Sequence, residues 1–182
     1  VASIAVATNG DIYVGTGSQF DGAGGDGGDG GSGFRGRGIW WSNDEGETFN
    51  IIEETDPGAF SGGDWSSNDA LVKDPLDNNK VWYGSNDSFG TIEDGVIDGN
   101  STSGGPTGGV SDIAIAHDGS YMLVAATNGR VYRSTNDQLS TFEPITAGGS
   151  NSGSLPQSGI GRARIAISQD DPNHAFALYA TS

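Results

Sequence analysis
Asp44, Glu45 and Glu47 crowd around Gly46 in the stretch 40–50, WWSNDEGETFN, flanked by Trp40, Trp41 and Phe49. Neighbouring carboxylates are the equipment of general acid–base chemistry, and their oxygens are also the ligands that hard cations take. Glycosidic cleavage in particular needs two carboxylates about 5–9.5 Å apart across a sugar. The chain carries 24 acidic residues, so some pair will meet that separation by chance and the distance singles out no residue. A second acidic group, Asp21, Asp26 and Asp29, sits in the glycine-rich run DGAGGDGGDGGSG. These side chains offer oxygen to calcium, although their spacing fits neither the EF-hand loop nor the nonapeptide calcium repeat. A flexible, solvated insertion is the competing reading. His117 and His174 both fall in turn-forming stretches, with no serine–histidine–aspartate pattern around either. The aromatics Trp40, Trp41, Trp65, Trp82 and Tyr83 offer either a sugar-stacking platform or core packing.

Such residues need a frame, and the apolar pattern supplies one. SIAVATNGDIYVGTG alternates apolar and polar residues on both sides of Asn9-Gly10, a pair that accepts positive φ and marks a tight hairpin. The design recurs in VSDIAIAHDGSYMLVAATNG, turning at His117-Asp118-Gly119, and in NDALVKDPLDNNKVWYGS, turning at Asp74-Pro75. A fourth copy, GRARIAISQDDPNHAFALYATS, turns at Asp171-Pro172. The copies begin near residues 2, 69, 111 and 162. Repeats of roughly 40–50 residues, each with four short strands, are the signature of propeller blades. Further strands follow the first hairpin in GFRGRGIWWS and TFNIIEE, and the third in GRVYRS and TNDQLSTFEPIT. No helical pattern of useful length appears, and 32 glycines oppose one. The chain therefore reads as all-β, a partial β-propeller of about three and a half four-stranded antiparallel blades. Their approximate limits are 1–60, 61–108, 109–150 and an incomplete 151–182, with 17–36 and 86–109 left as loops. Three and a half blades cannot close a ring, so the remaining blades are expected in the same or another chain.

The first acidic cluster now has a place, the turn between the third and fourth strands of a blade. Ser42-x-Asp44-x-Gly46-x-Thr48-Phe49 resembles the Asp-box, the S-x-D-x-G-x-T-[FW] turn of bacterial neuraminidase repeats, sortilin-like propellers and related glycosidases. Its mechanics can be stated independently: Ser and Asp side chains bond to backbone amides, Gly46 takes positive φ, and Phe49 is expected to tuck into the blade. Ser134-x-Asn136 followed by Thr141-Phe142 resembles a degenerate second copy, with one extra residue and no glycine. LPQSGIGRARIAISQDDPNHAFALYA and GDIYVGTGS also resemble the inter-blade and blade-opening patterns of that family. The resemblance implies a turn role for Asp44 on the blade periphery rather than a catalytic one. It leaves function open, because these repeats occur in enzymes, receptors and scaffolds alike.

Composition narrows the function. Against 24 acids stand 8 Lys and Arg, for a net charge of -16, and hydrophobic residues make up 34%. That balance approaches a disordered acidic chain, and it is the strand periodicity that argues for a packed domain. A surface this acidic repels phosphate backbones, so nucleic acid is not an expected partner. No apolar run approaches the ~20 residues that span a bilayer, so no membrane insertion is expected. Cysteine is absent, so no disulfide framework exists. The chain opens at Val1 with neither Met nor a signal-like stretch, which predicts a mature product or part of a longer protein. Sialidases with this resemblance need an arginine cluster, whereas Arg35, Arg37, Arg130, Arg133, Arg162 and Arg164 fall on strands or strand edges with no such motif around them. Arg162 and Arg164 alternate along one strand and are expected to pair with acids.

Two function classes follow from these features. The first is a non-enzymatic bacterial propeller module, secreted or at the cell surface, that binds a protein or glycan. The alternative is a fragment of a xyloglucanase- or sialidase-like glycoside hydrolase. No cofactor is expected beyond the calcium option at Asp21, Asp26 and Asp29. Ordering so many glycines costs about 1–2 kcal/mol each, against few carboxylates gained. Calorimetric titration is therefore expected to show no tight calcium site; a micromolar site abolished by replacing Asp26 and Asp29 would overturn this.

Overall fold
The computed structural model describes residues 1–18, 35–58, 65–98, 103–106, 108–136, 139–145, 155 and 160–181. Strands β1 (Ser3–Val6), β2 (Ile12–Gly15), β3 (Ile39–Ser42) and β4 (Asn50–Ile51) pair in chain order as the first sheet. The second holds β5 (Ala70–Lys73), β6 (Lys80–Gly84), β7 (Phe89–Glu93) and β8 (Val96–Asp98). The third holds β9 (Val110–Ile115), β10 (Met122–Ala126), β11 (Val131–Ser134) and β12 (Phe142–Pro144). A last hairpin pairs β13 (Ile160–Ile167) with β14 (Ala175–Thr181). All pairings between these strands are antiparallel, and one 3-10 turn, Glu53–Thr55, is the only helical segment among the described residues.

Turn chemistry explains the hairpins. Gly10 and Gly119 take φ of 99° and 71° and donate their N–H groups to Ala7 and Ala116. The two Asp-Pro turns are held instead by side chains. The Asp74 carboxylate accepts the Leu76 N–H at 2.7 Å, and that of Asp171 accepts the Asn173 N–H at 3.0 Å. The segment 86–109 departs from its loop reading, since it contains β7 and β8. They are joined by Asp94-Gly95 with φ of 48° and 77°, the doubly positive pair that a two-residue hairpin turn requires.

Successive sheets stack face to face, with β1 on β5, β5 on β9, and β9 on β13. Equivalent positions can be counted from the bond that closes each hairpin: Ala7 to Asp11, Asp74 to Lys80, Ala116 to Tyr121 and Ser168 to His174. The second pair inward from each closure contains Tyr13, Trp82, Leu123 and Phe176 and faces the following sheet. The first three are 0%, 0% and 6% exposed, but Phe176 is 67% exposed. The third pair inward contains Ile4, Leu71, Ile113 and Ile165 and faces the preceding sheet. Here Leu71, Ile113 and Ile165 are buried, and Ile4 is 60% exposed. Val6 and Leu178 extend the two bare faces. Each such side chain left in water forgoes about 1.5–3 kcal/mol. The 182-residue chain is accordingly expected to self-associate. Light scattering should show this self-association, and Phe176→Ser with Leu178→Ser should reduce it while the melting temperature holds.

Candidate functional site
The cluster at 42–49 is a closed hydrogen-bonded turn. Ser42 Oγ donates to Asp44 Oδ1 at 2.7 Å and accepts the Gly46 N–H at 2.9 Å. Asp44 also receives the Thr48 N–H at 2.9 Å and the Thr48 hydroxyl. Glu45 and Gly46 take φ of 62° and 88°, which turns the chain between the two strands. These bonds hold the Asp44 carboxyl down to about pH 2, the Thr48 hydroxyl contributing most, then the Thr48 amide and Ser42. A carboxylate engaged this way has no proton to give near neutrality and little oxygen left for a cation. Phe49 corrects its sequence reading. It does not tuck into the blade but stays 38% exposed, its ring edge lying against Gly46. The reason is packing from above: Phe142 finds Phe89 of the second sheet to meet, whereas Phe49 belongs to the first sheet, which also leaves Ile4 and Val6 bare.

The second turn does the same work with different atoms. Asn136 Oδ1 accepts the Ser134 hydroxyl at 2.8 Å and the Thr141 N–H at 2.9 Å, and its Nδ2 donates to Ser140 Oγ at 3.1 Å. Leu139 occupies the left-handed region at φ 52° while wholly buried, so burial compensates for a conformation leucine disfavours. Phe142, the counterpart of Phe49, is buried and meets Phe89 edge-on at 5.3 Å.

Elsewhere the charged groups clasp neighbouring segments. Arg37 pairs with Asp56 at 3.0 Å. Asp112 at the start of β9 accepts the Ile165 N–H at 2.8 Å and lies 3.5 Å from Arg164, joining the third sheet to the last hairpin. Burial pushes its carboxyl upward, against the opposing pull of Ile165 and Arg164. Sequence reading did not single out Asp112; an acid interrupting an inner strand, SDIAI, was the available signal. His174 stands 2.9 Å from Asp171 within its turn, and His117 is exposed. Trp65, Trp82 and Tyr83 are buried, with Trp65 tilted on Tyr83 at 5.1 Å, while Trp40 and Trp41 are half-buried. Trp41 packs towards the second sheet. Asp21, Asp26 and Asp29 lie outside the described residues. Among those described, no three His, Asp or Glu side chains gather as a metal set, and no helix is long and apolar enough to cross a membrane.

Two cavities are lined by described residues alone. One of about 330 Å³ lies where the hairpin turns of the sheets converge, lined by Thr8, Lys73, His117 and Gln169. The other, about 660 Å³, opens between the third sheet and the last hairpin, lined by Tyr121, Leu123, Arg133, Ile145 and Pro172.

Stacked antiparallel sheets, each meandering from a first strand that touches its neighbours' first strands, define a β-propeller. The same arrangement occurs in solved structures. A GH74 enzyme of Niastella koreensis matches with a TM-score of 0.56 at 19% identity, over 94% of this chain and 24% of that one. The GH74 xyloglucanase of Xanthomonas campestris matches with a TM-score of 0.61 at 17% identity, over 97% of this chain and 26% of that one. The chain thus spans about a quarter of either enzyme, and at these identities the likeness is one of fold. No family model matches the chain, and no curated protein does.

Asp44 and Asp112, whose carboxyls are shifted in opposite directions, should leave opposite marks on stability. Asp44 has a depressed folded pKa, so its contribution is present above the ordinary carboxylate value of about 3.9 and fades as pH falls towards 2. Asp112 has a raised one, so stability declines as pH rises from about 3.9 through its folded value. In denaturant titrations across this range, the deficit of Asp44→Asn should shrink with acidification. Asp112→Asn should lack the decline on the alkaline side. Parallel profiles for both variants and the wild type would contradict the assignment.

Proposed function
We propose that this chain is part of a non-enzymatic propeller, a bacterial secreted or cell-surface module that holds a protein or glycan on a scaffold of stacked sheets. One observation carries the reading: among the described residues, the side chains best suited to chemistry are consumed by structure. The Asp44 carboxylate is engaged by Ser42 and Thr48, and Asn136 fills the matching place in a turn that resembles a second Asp-box. Arg37, Arg164 and Asp112 clasp adjoining segments. Further sheets, from the same or another polypeptide, cover Ile4 and Val6 at one end and Phe176 and Leu178 at the other. No cofactor takes part.

The second reading, a piece of a glycoside hydrolase propeller, draws support from the likeness to the GH74 structures. In that case the catalytic acids come from elements other than the two turns. Incubation with xyloglucan and with a sialyl-oligosaccharide separates the readings. The expected result is no release of reducing sugar or sialic acid, with glycan or protein retention in a binding assay. Turnover that survives Asp44→Asn would favour the enzyme, and turnover abolished by Asp44→Asn in a folded variant would overturn the turn role as well.

A further inference from the structure
The 660 Å³ cavity beside Arg133 has counterparts at the other two sheet junctions, and there it is filled. At the first junction Tyr13 on β2 and Trp41 on β3 stand opposite one another and face the second sheet. The Asp94-Gly95 turn of the β7–β8 hairpin sits on them. The Gly95 N–H donates to the Tyr13 hydroxyl at 3.2 Å, and a Cβ on Gly95 would lie 2.6 Å from the Trp41 ring. At the second junction Leu139, from the turn joining β11 to β12, and Phe142, which opens β12, are buried in one cluster with Trp82 and Phe89. In both cases the covering element is the turn between the third and fourth strands of the following sheet.

At the third junction the equivalent pair is Leu123 on β10 and Arg133 on β11. Tyr121 takes the place of Asp11, the residue that holds the Trp41 indole N–H at the first junction. The Arg133 guanidinium lies over the Tyr121 ring, 5.1 Å from its centre, and the Tyr121 hydroxyl is fixed by a 2.7 Å bond to the Pro172 carbonyl. Asp118 lines the same cavity with its carboxylate capping the Ser120 N–H, and Glu143 stands opposite Arg133 in register. Neither comes within ion-pair distance of Arg133, whereas Arg37, Lys80 and Arg164 all have carboxylate partners. Beyond the cavity, β14 pairs only with β13 among the described strands.

We propose that this cavity seats a polypeptide hairpin that extends the β13–β14 sheet beyond β14, its tight turn covering Tyr121 and Leu123 and placing a carboxylate on Arg133. The proposal rests on the reading that further sheets complete the propeller, and it adds the chemistry by which the next hairpin is recognised. An aromatic such as Trp41 accepts any turn that presents a glycine face. An arginine in that place selects for an acidic turn, because a guanidinium and a carboxylate meet there with apolar walls on either side.

The chain supplies its own probe. A backbone-cyclised peptide with the sequence of Ser88–Asp98, SFGTIEDGVID, carries the hairpin that fills the first junction and presents Asp94 in its turn. Fluorescence anisotropy of the labelled peptide against the 182-residue chain should show saturable one-to-one binding. Asp94→Asn in the peptide and Arg133→Gln in the chain should each weaken it about tenfold, the worth of one charge-assisted bond, and together no further. Arg130→Gln, in the exposed β10–β11 turn, should leave it unchanged. The peptide variant carries the test if Arg133→Gln perturbs folding. Absence of binding, or binding indifferent to both variants, overturns the proposal. So does a self-association of the chain that Arg133→Gln abolishes, since a second copy would then be the occupant. None of these results bears on polysaccharide turnover, which tests the functional reading separately.

Discussion
Val81 and Trp82 are neighbours on β6, point to opposite sides of the second sheet, and are both sealed from solvent. A sheet with two apolar faces has to lie between two others, and everything else in this fold follows from that requirement. It sets the repeating alternation along each strand, in which one residue meets the sheet before and the next meets the sheet after. It also sets where glycine is required: a Cβ on Gly84 would stand 2.5 Å from Val110, so the inner strands approach closely only because that position is bare. Backbone and side-chain bonds then register one sheet on the next. Ser3 donates to the Asn68 carbonyl at 2.7 Å across the first junction, and Ser111 donates to the Ala163 carbonyl at 3.0 Å across the third.

The acidic composition takes on a specific meaning in this frame. Asp44, Asp74, Asp77, Asp118 and Asp171 each accept a backbone N–H from a residue two to four positions on, closing a turn at a strand end. A stacked-sheet protein needs many turns, and short acids close them without occupying the core. Part of the negative charge is therefore a by-product of how often the chain reverses, a different origin from a charged binding face.

Strand positions were legible because alternation and turn residues agree: Asn9-Gly10, Gly119 and both Asp-Pro turns mark hairpins where hairpins form. The β7–β8 hairpin was missed although Asp94-Gly95 is as strong a turn signal, because the flanking strands FGTIE and VID are short and carry little alternation. Phe49 and Phe142 show a deeper limit. They follow similar turns, yet one is half in water and the other is buried against Phe89, since burial depends on which sheet passes overhead. Asp112 and Arg133 were equally illegible as a clasp and an open seat, because their neighbours lie on other strands of the fold.

The stacking also decides how the molecule comes apart. Packing of any extent joins each sheet only to the next, so stability is close to a sum over junctions rather than a property of one shared core. Within the isolated 182-residue chain the second and third sheets are gripped on both faces, while the first sheet and the last hairpin are gripped on one. Opening motions therefore start at the ends and die out within a junction, and the middle exchanges its amide protons last. A lesion in β13 or β14 would loosen its own hairpin and leave Trp82 undisturbed, giving the isolated 182-residue chain the graded, end-in unravelling of a stack of plates in place of a single cooperative collapse.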